Sequence, residues 1–453
     1  MSKLLSRFNT ISKYLIAAVL IIVPLFPKFP LVNVSGTYVA VRFEDLLLFT
    51  LAVFTLIKIV PNFKSFFSDK IVQAFLIFFG VGLLSVFSGV YLTQTVGLSL
   101  GLLHWARRIE YAVPFLATIT LLARDKVSEN LDFYIKVLLI VVVAVFIYGI
   151  GEMYFRFPVI ITQNMEYSKG VALFWIPGSH INSTFAGHYD LAAFIVLVIP
   201  IFIAFIFLLK DNFSKILFSL VSGAGLWLLI NSLSRTGQIS YLAAVTFALM
   251  MLKKFKGLAV VLVVSVFLIL MSSGVNQRFR QLIKVFGMTN PSITVYADET
   301  TLPTKRVDLS TPTPAPVPVV EDRSTSIRLY VEWPRAIRGF KINPVLGTGY
   351  SSIDLATDND YLRSLGETGL FGFLAFWLIF FRIGNTFVGS IPVIRKLDPL
   401  SLGFMVGLFG GIFGTFLSAL FIDLFEASKF ATIFWLLLGL AVYVVKNKQY
   451  EQE

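Results

Sequence analysis

The chain has 453 residues, of which 57% are hydrophobic and 14% charged, and its formal net charge is +12. Soluble domains are about one-quarter charged, so this composition excludes an ordinary soluble protein. The basic residues stand in short clusters between apolar runs, as orientation signals of membrane proteins do, and this argues against nucleic-acid binding. The chain has no cysteine, which excludes disulfides and thiolate metal sites.

Apolar runs long enough to cross a bilayer as helices recur along the whole chain. The first follows Lys3, Arg7 and Lys13 and lacks a small-residue cleavage site, so we interpret it as an uncleaved span. Lipid offers no partners to backbone polar groups, so spans must be helical, and the alternating pattern of a membrane barrel is absent. Window hydropathy predicts about twelve spans, with approximate limits at 12–27, 43–60, 70–92, 107–123, 132–151, 189–209, 214–232, 236–252, 256–273, 367–384, 400–422 and 430–446.

The loops on one side of this arrangement are all basic. The positive-inside rule makes that side cytoplasmic and places both termini there. The opposite side is richer in arginine than in lysine. Because arginine makes bidentate, permanently charged contacts to phosphate, these residues predict a phosphorylated or pyrophosphorylated lipid ligand. Ordinary surface ion pairing is the alternative.

We expect three parts in an all-α, polytopic chain. Residues 1–273 hold spans one to nine, residues 274–366 form a large extracytoplasmic loop, and residues 367–453 hold the last three spans. Within the loop, residues 275–288 have the spacing of an amphipathic helix lying at the membrane surface. Residues 300–320 are rich in Pro and Thr, which predicts an extended insert.

The stretch TDNDYLRSLGETGL sets Asp358, Asp360, Arg363 and Glu367 directly before an apolar run. Asp358 occupies the position expected for a helix N-cap. Charged groups at the outer ends of spans favour an enzyme working at the membrane surface. A transporter would more often carry them near the midplane, together with internal repeats.

Residues 328–376 carry several ordered elements: an Arg five residues before Trp333, an Asn-Pro pair, a Gly-x-Gly, a DNxYL and an ETGxxG that enters a span. This run resembles the outer-loop signature of the O-antigen ligase and O-antigen polymerase superfamily. Residues 41–49, 185–201 and 231–237 are similar to three further segments of that family. Many of its ligases have His where this chain has Asp358, and the Asp-Asn form is compatible with the polymerases.

The resemblance implies a GT-C-like helical fold in the bacterial cytoplasmic membrane. It implies transfer of a glycan from a polyprenyl (undecaprenyl) diphosphate carrier to an acceptor hydroxyl on the outer face, without metal, cofactor or nucleotide sugar. The implied partners are the lipid-linked oligosaccharide, a glycan or lipid acceptor and membrane lipids. We expect an O-antigen or surface polysaccharide polymerase. A ligase with a lipid or protein acceptor is the alternative, and a lipid-linked oligosaccharide flippase is the alternative of another class.

The resemblance also suggests roles for individual residues. Preorganised cations stabilise the charge that grows on a leaving diphosphate, and Arg235 and Arg328 are the first candidates, followed by Arg107 and Arg108. Asp358 is the candidate general base for the acceptor hydroxyl. Because an unperturbed Asp is a weak base, burial must raise its pKa, or its role is to orient the hydroxyl.

Further polar residues near the same segments are candidates for binding substrate. Asn359 and Tyr361 would contact sugar rings, and Glu367 would hold an arginine in place. His188 and Asp190 open a predicted span and would also face substrate. The histidines are too scattered along the sequence to predict a metal site.

Overall fold

A computed structural model of the chain describes residues 2–34, 40–123, 125–160, 173–272, 327–353 and 356–450. The predicted amphipathic helix at 275–288 and the insert at 300–320 lie outside the described residues. Within them, the only strands are a short antiparallel pair, β1 (Pro30–Asn33) and β2 (Ala40–Arg42). The expected helical fold is therefore confirmed, with this small hairpin added.

Fifteen α-helices make up most of the described chain. In chain order they are α1 (Ser2–Leu25), α2 (Phe43–Ile59), α3 (Phe63–Ser68), α4 (Lys70–Phe87), α5 (Leu98–Leu121), α6 (Val127–Tyr154), α7 (His188–Leu208), α8 (Asn212–Asn231), α9 (Arg235–Met251), α10 (Phe255–Met271), α11 (Trp333–Ile342), α12 (Asp360–Gly389), α13 (Ile391–Ile394), α14 (Pro399–Ser418) and α15 (Ser428–Tyr450). Two π-helical turns adjoin them, at Ser88–Leu92 after α4 and at Arg328–Glu332 before α11.

Nine helices of the described chain are long and apolar enough to cross a membrane. The three other predicted spans also fall on helices. Helix α5 carries Arg107, Arg108 and Glu110 in its middle, and α9 and α10 have only 17 residues each. The protein is thus a polytopic helical membrane protein, as its composition predicted.

The centre of the bundle is built on α7, α14 and α15, which are the most deeply buried of these helices. A glycine face of α14 packs directly on α7. A Cβ atom at Gly407 would lie 2.3 Å from the Cα of Ile201, and one at Gly411 would lie 2.2 Å from the carbonyl oxygen of Leu197. Small residues let membrane helices approach this closely, so the glycines of α14 have a structural role.

One end of the bundle carries a cluster of ion pairs, among them Arg108–Glu426, Arg328–Asp358 and Arg363–Asp423. We call it the polar end. Helices α2, α7, α12 and α15 begin there, and α14 finishes there. The opposite end is marked by an ion pair between Lys446 in α15 and Asp69 before α4. In the predicted topology the polar end faces the outside.

Candidate active site at the polar end

Arg328 and Asp358 form a close ion pair at the polar end. The guanidinium Nε donates a hydrogen bond of 2.9 Å to Asp358 Oδ2, and Nη2 lies 2.7 Å from the same oxygen. The arginine is buried, whereas the Asp358 side chain keeps 24% of its surface exposed. Burial raises the pKa of the Asp358 carboxyl, and the Arg328 guanidinium opposes part of that shift.

The backbone on either side of Asp358 is held by Asp423. This carboxylate accepts the N–H groups of Thr357 and Asn359 at 2.7 and 3.0 Å. Asp358 itself adopts a left-handed backbone with φ +49°, a conformation that Asp tolerates better than most residues but that still costs energy. The two hydrogen bonds keep it in that conformation and aim its carboxylate at Arg328.

The predicted N-cap of α12 at Asp358 is wrong. The capping residue is Asn359, whose side-chain oxygen accepts the N–H of Leu362 at 2.9 Å. Its amide nitrogen donates to the Leu420 carbonyl at 3.0 Å. The side-chain amide of Asn359 therefore caps α12, and the Asp358 carboxylate pairs with Arg328 instead.

Arg363, one turn into α12, is the centre of a buried network. Its guanidinium lies 3.0 Å from Asp423, 3.2 Å from Glu367 and 3.4 Å from Glu426. Glu367 is only 2% exposed. A side chain this buried is better placed to hold Arg363, as predicted, than to contact a sugar. Buried charges are stabilised by such paired arrangements and fix the local geometry.

A cavity of about 170 Å³ opens beside this network. It is lined by four basic side chains, one carboxylate and three further polar side chains: Lys28, Arg42, Arg107, Arg108, Glu426, His104, Tyr111 and Ser428. We call it the basic cavity. Basic groups therefore outnumber acidic ones in its lining, and this excess of positive charge would favour an anion.

Each basic group of the basic cavity is held by a named contact. Arg108 pairs with Glu426 and donates to the Phe425 carbonyl at 2.8 Å. Arg107 donates to the Ala40 carbonyl at 2.9 Å, and Arg42 donates to Ser428 Oγ at 3.4 Å. The guanidinium groups are therefore positioned before any ligand arrives.

Lys28 lies in the turn between α1 and β1 and completes the basic cavity. Its ammonium is 3.9 Å from Asp190 in the first turn of α7. Burial lowers the pKa of Lys28, and Asp190 opposes this shift. An anion in the cavity would favour the charged form of Lys28 in the same way.

A second, narrower cavity of about 70 Å³ adjoins the first between the helices. The two share Arg108, Tyr111 and Glu426 as lining residues. Aromatic side chains from α4, α12, α15 and the loop before α15 dominate the rest of its wall: Phe75, Phe78, Phe373, Phe376, Phe425 and Trp435. We call it the aromatic cavity.

The first turn of α7 connects the Arg328–Asp358 pair with the basic cavity. The Arg328 guanidinium lies 5.9 Å from the ring centre of Tyr189, and the neighbouring Asp190 contacts Lys28. The ring of His188 contacts that of Tyr189, with 4.0 Å between the ring centres and a tilt of 36°. The two predicted residues of this turn, His188 and Asp190, thus lie between the two parts of the site.

Two other predicted residues lie further from the basic cavity. Tyr361 lines the aromatic cavity, donates its hydroxyl proton to the Phe416 carbonyl at 2.7 Å and stacks on Trp377. Arg235 is the first residue of α9 and is not among the residues lining either cavity. Helix α9 packs on α7, since a Cβ atom at Gly237 would meet Ala192.

The matched family agrees with the one that the motifs suggested. Residues 220–377 match the O-antigen ligase family. The resemblance is thereby confirmed for this segment, which supports a membrane enzyme of the O-antigen ligase and polymerase type, acting on lipid-linked glycans. No curated protein shows a significant match to the chain.

The segment that matches the family contains only part of the site. Arg235, Arg328, Asp358 and Glu367 lie inside it, whereas every residue lining the basic cavity lies outside it. The substrate and cofactor roles of these residues stay predictions. Within the described residues, no group of three or more His, Asp or Glu side chains could hold a metal ion.

The sequence did not predict several members of this candidate site. Lys28, Asp423 and Glu426 were not assigned to it, and Arg363 was noticed without a role. One signal was available for Lys28: it is a lysine in a loop predicted to lie outside, against the positive-inside rule. Asp423 and Glu426 entered the sequence argument only as charged groups at the outer ends of spans.

Proposed function

We propose that the protein is a glycosyltransferase of the bacterial cytoplasmic membrane that polymerises surface polysaccharide. It would move a glycan from a polyprenyl diphosphate carrier to an acceptor hydroxyl at the outer face. The observation that carries this proposal is the basic cavity. It shares Arg108, Tyr111 and Glu426 with the aromatic cavity, and the first turn of α7 links it to the Arg328–Asp358 pair.

The basic cavity fits the diphosphate. Arg42, Arg107 and Arg108 offer planar, permanently charged donors, which bind phosphate oxygens bidentately. When the glycosidic bond to phosphate breaks, its electron pair passes to the diphosphate oxygen. Cations that are already in place stabilise this charge most in the transition state. Arg328, and Arg235 at the start of α9, would add positive charge to the surroundings of the diphosphate.

The aromatic cavity fits the first part of the lipid chain. It lies between α4, α12 and α15, three helices long and apolar enough to cross a membrane. A polyprenyl tail is apolar and unsaturated, so contact with Phe and Trp rings would stabilise it by burial. Arg108 and Glu426 line both cavities, so the junction of headgroup and tail would lie at these residues.

The acceptor hydroxyl must lose its proton as its oxygen bonds to the anomeric carbon. The acidic cluster beside Arg328 would supply the carboxylate that takes this proton. Asp358 is the residue predicted from the sequence, and its raised pKa makes it a better base than an ordinary Asp. Its other role would be to orient the hydroxyl.

Analysis of surface glycans in a strain that lacks the protein tests the proposal. A polymerase predicts loss of long chains while single repeat units stay attached to their acceptor. Free lipid-linked polymer indicates a ligase, the second candidate, which the matched O-antigen ligase family favours. Lipid-linked single units confined to the inner leaflet indicate a flippase, and unchanged surface glycan contradicts the proposal.

A further inference from the structure

Glu332 is a second carboxylate beside the Arg328–Asp358 pair. It ends the π-helical turn Arg328–Glu332, directly before α11. The residue is half-buried, and its Oε2 atom is buried with no hydrogen-bond partner within the described part of the chain. Buried carboxylate oxygens are almost always hydrogen-bonded, so one without a partner calls for an explanation. Among the described residues, the neighbouring Trp333 Nε1 is also buried without a hydrogen-bond partner.

The backbone places Glu332 next to Arg328. The two residues are four positions apart in a single π-helical turn, so both side chains leave the turn on about the same side. Such turns occur frequently at functional sites. Four charged groups face Glu332. They are Asp358 in the segment before α12, Arg328 in its own turn, Asp423 in the loop before α15 and Arg335 in α11.

The two carboxylates differ in what they already bind. Both nitrogens of the Arg328 fork contact Asp358 Oδ2, which stabilises the anion and weakens it as a base. Glu332 lacks such a partner on Oε2. Burial, followed by repulsion from Asp358, raises the pKa of Glu332 to about 7. A base is most effective when its pKa is near the working pH.

We propose that Glu332 is the group that accepts the proton of the incoming hydroxyl, while Asp358 holds and orients Arg328. This inference rests on the proposed glycosyl transfer. The acceptor O–H bond breaks and its proton goes to Glu332 Oε2. The acceptor oxygen bonds to the anomeric carbon, and the bond from that carbon to the carrier oxygen breaks, leaving its electron pair on the diphosphate. Glu332 is neutral after the step and returns its proton to water.

The test compares Glu332→Gln, Asp358→Asn and Glu332→Asp with wild type. Transfer is measured with purified protein in nanodiscs, using the lipid-linked glycan that accumulates in the deletion strain. We expect wild-type kcat/KM to rise with pH and level off above about 7, since the base must be ionised. Glu332→Gln should lose about 10²–10⁴-fold in kcat and lose this rising limb. Glu332→Asp, which keeps a carboxylate, should retain the limb at a lower rate.

Asp358→Asn should be slower but should keep the rising limb of the pH profile. Glu129→Gln is the matched control, because Glu129 is an exposed residue of α6. Affinity for undecaprenyl diphosphate should be the same in Glu332→Gln and wild type. A rising limb that survives in Glu332→Gln overturns this inference alone. Absence of transfer by wild type overturns the proposed function and this inference with it.

Discussion

At the scale of single residues, the site depends on charges whose partners are fixed before substrate arrives. Asp358 has a left-handed backbone with φ +49°, clamped through the flanking N–H groups by Asp423. Strained residues of this kind persist only where their surroundings determine them, and they cluster at functional sites. The clamp explains how a short polar segment presents the Asp358 carboxylate to Arg328.

Asp358→Asn is expected to lower glycan transfer at least about 100-fold, because it removes the charge that fixes Arg328 and sets the protonation of the cluster. The protein should still insert and elute as a single species in detergent. Turnover is measured with the purified protein, and Asp132→Asn, an exposed residue of α6, is the control. Wild-type turnover by Asp358→Asn would remove this residue from the chemistry.

Arg328→Ala and Arg235→Ala are each expected to weaken binding of undecaprenyl diphosphate several-fold, because each removes a permanent positive charge that would attract the diphosphate. Binding is measured by titration in nanodiscs. Arg395→Ala, at an exposed position after α13, is the control. If both site variants bind like wild type, the diphosphate is held by the basic cavity alone.

At the scale of elements, a break in α12 anchors the segment that carries the site. Gly369 has φ +64° inside that helix. The turn at residues 343–349 fills the gap, because the N–H of Leu370 donates to the Pro344 carbonyl at 2.8 Å and the N–H of Gly349 donates to the Glu367 carbonyl at 2.8 Å. The Asn-Pro, Gly-x-Gly and ETGxxG motifs are therefore one interlocked structure.

The same turn is fastened to α4. Ser85 Oγ donates to the Glu367 carbonyl at 2.7 Å, and Asn343 donates through its side chain to Ser88 Oγ at 2.7 Å. Thr95 Oγ1 donates to the Thr348 carbonyl at 2.6 Å. The first and third of these bonds satisfy backbone carbonyls of α12 and of the turn, as buried polar groups require.

Gly369→Ala is expected to destabilise the protein by at least about 2 kcal/mol, because a side chain rarely adopts this φ and its Cβ atom would lie 2.4 Å from the Val345 carbonyl oxygen. Thermal unfolding in detergent measures the effect. Gly384→Ala in the same helix is the matched control, since a Cβ there meets nothing within 4 Å, and it should be neutral or stabilising. Equal unfolding midpoints for the two variants would show that the backbone at position 369 does not require glycine.

At the scale of the whole molecule, the bundle gathers residues that are hundreds of positions apart. Arg42 contacts Ser428, and Arg108 pairs with Glu426. The end of the bundle where they meet is the one predicted to face outside. The side of the membrane that it faces follows from the positive-inside rule and is a prediction.

Because the chain has no cysteine, single-cysteine variants report this orientation directly. Ser310→Cys, in the large loop, should react with a membrane-impermeant thiol reagent added to intact cells. Ser65→Cys, at an exposed position near the opposite end, should react only after the membrane is permeabilised. The reverse pattern would invert the topology and place the proposed chemistry in the cytoplasm.

The sequence by itself determined the helical membrane class, the approximate spans, and Arg328 and Asp358 as polar residues to examine. Hydropathy is enough to predict the spans, because each segment in lipid must form its backbone hydrogen bonds within itself, as a helix does. The tertiary structure decided which cation meets which carboxylate, that Asn359 caps α12 while Asp358 turns to Arg328, and that Lys28 and Glu426 line one cavity. Those outcomes depend on helix packing between segments far apart in sequence, and the burial that shifts the pKa of Asp358 or Glu332 exists only once that packing is complete.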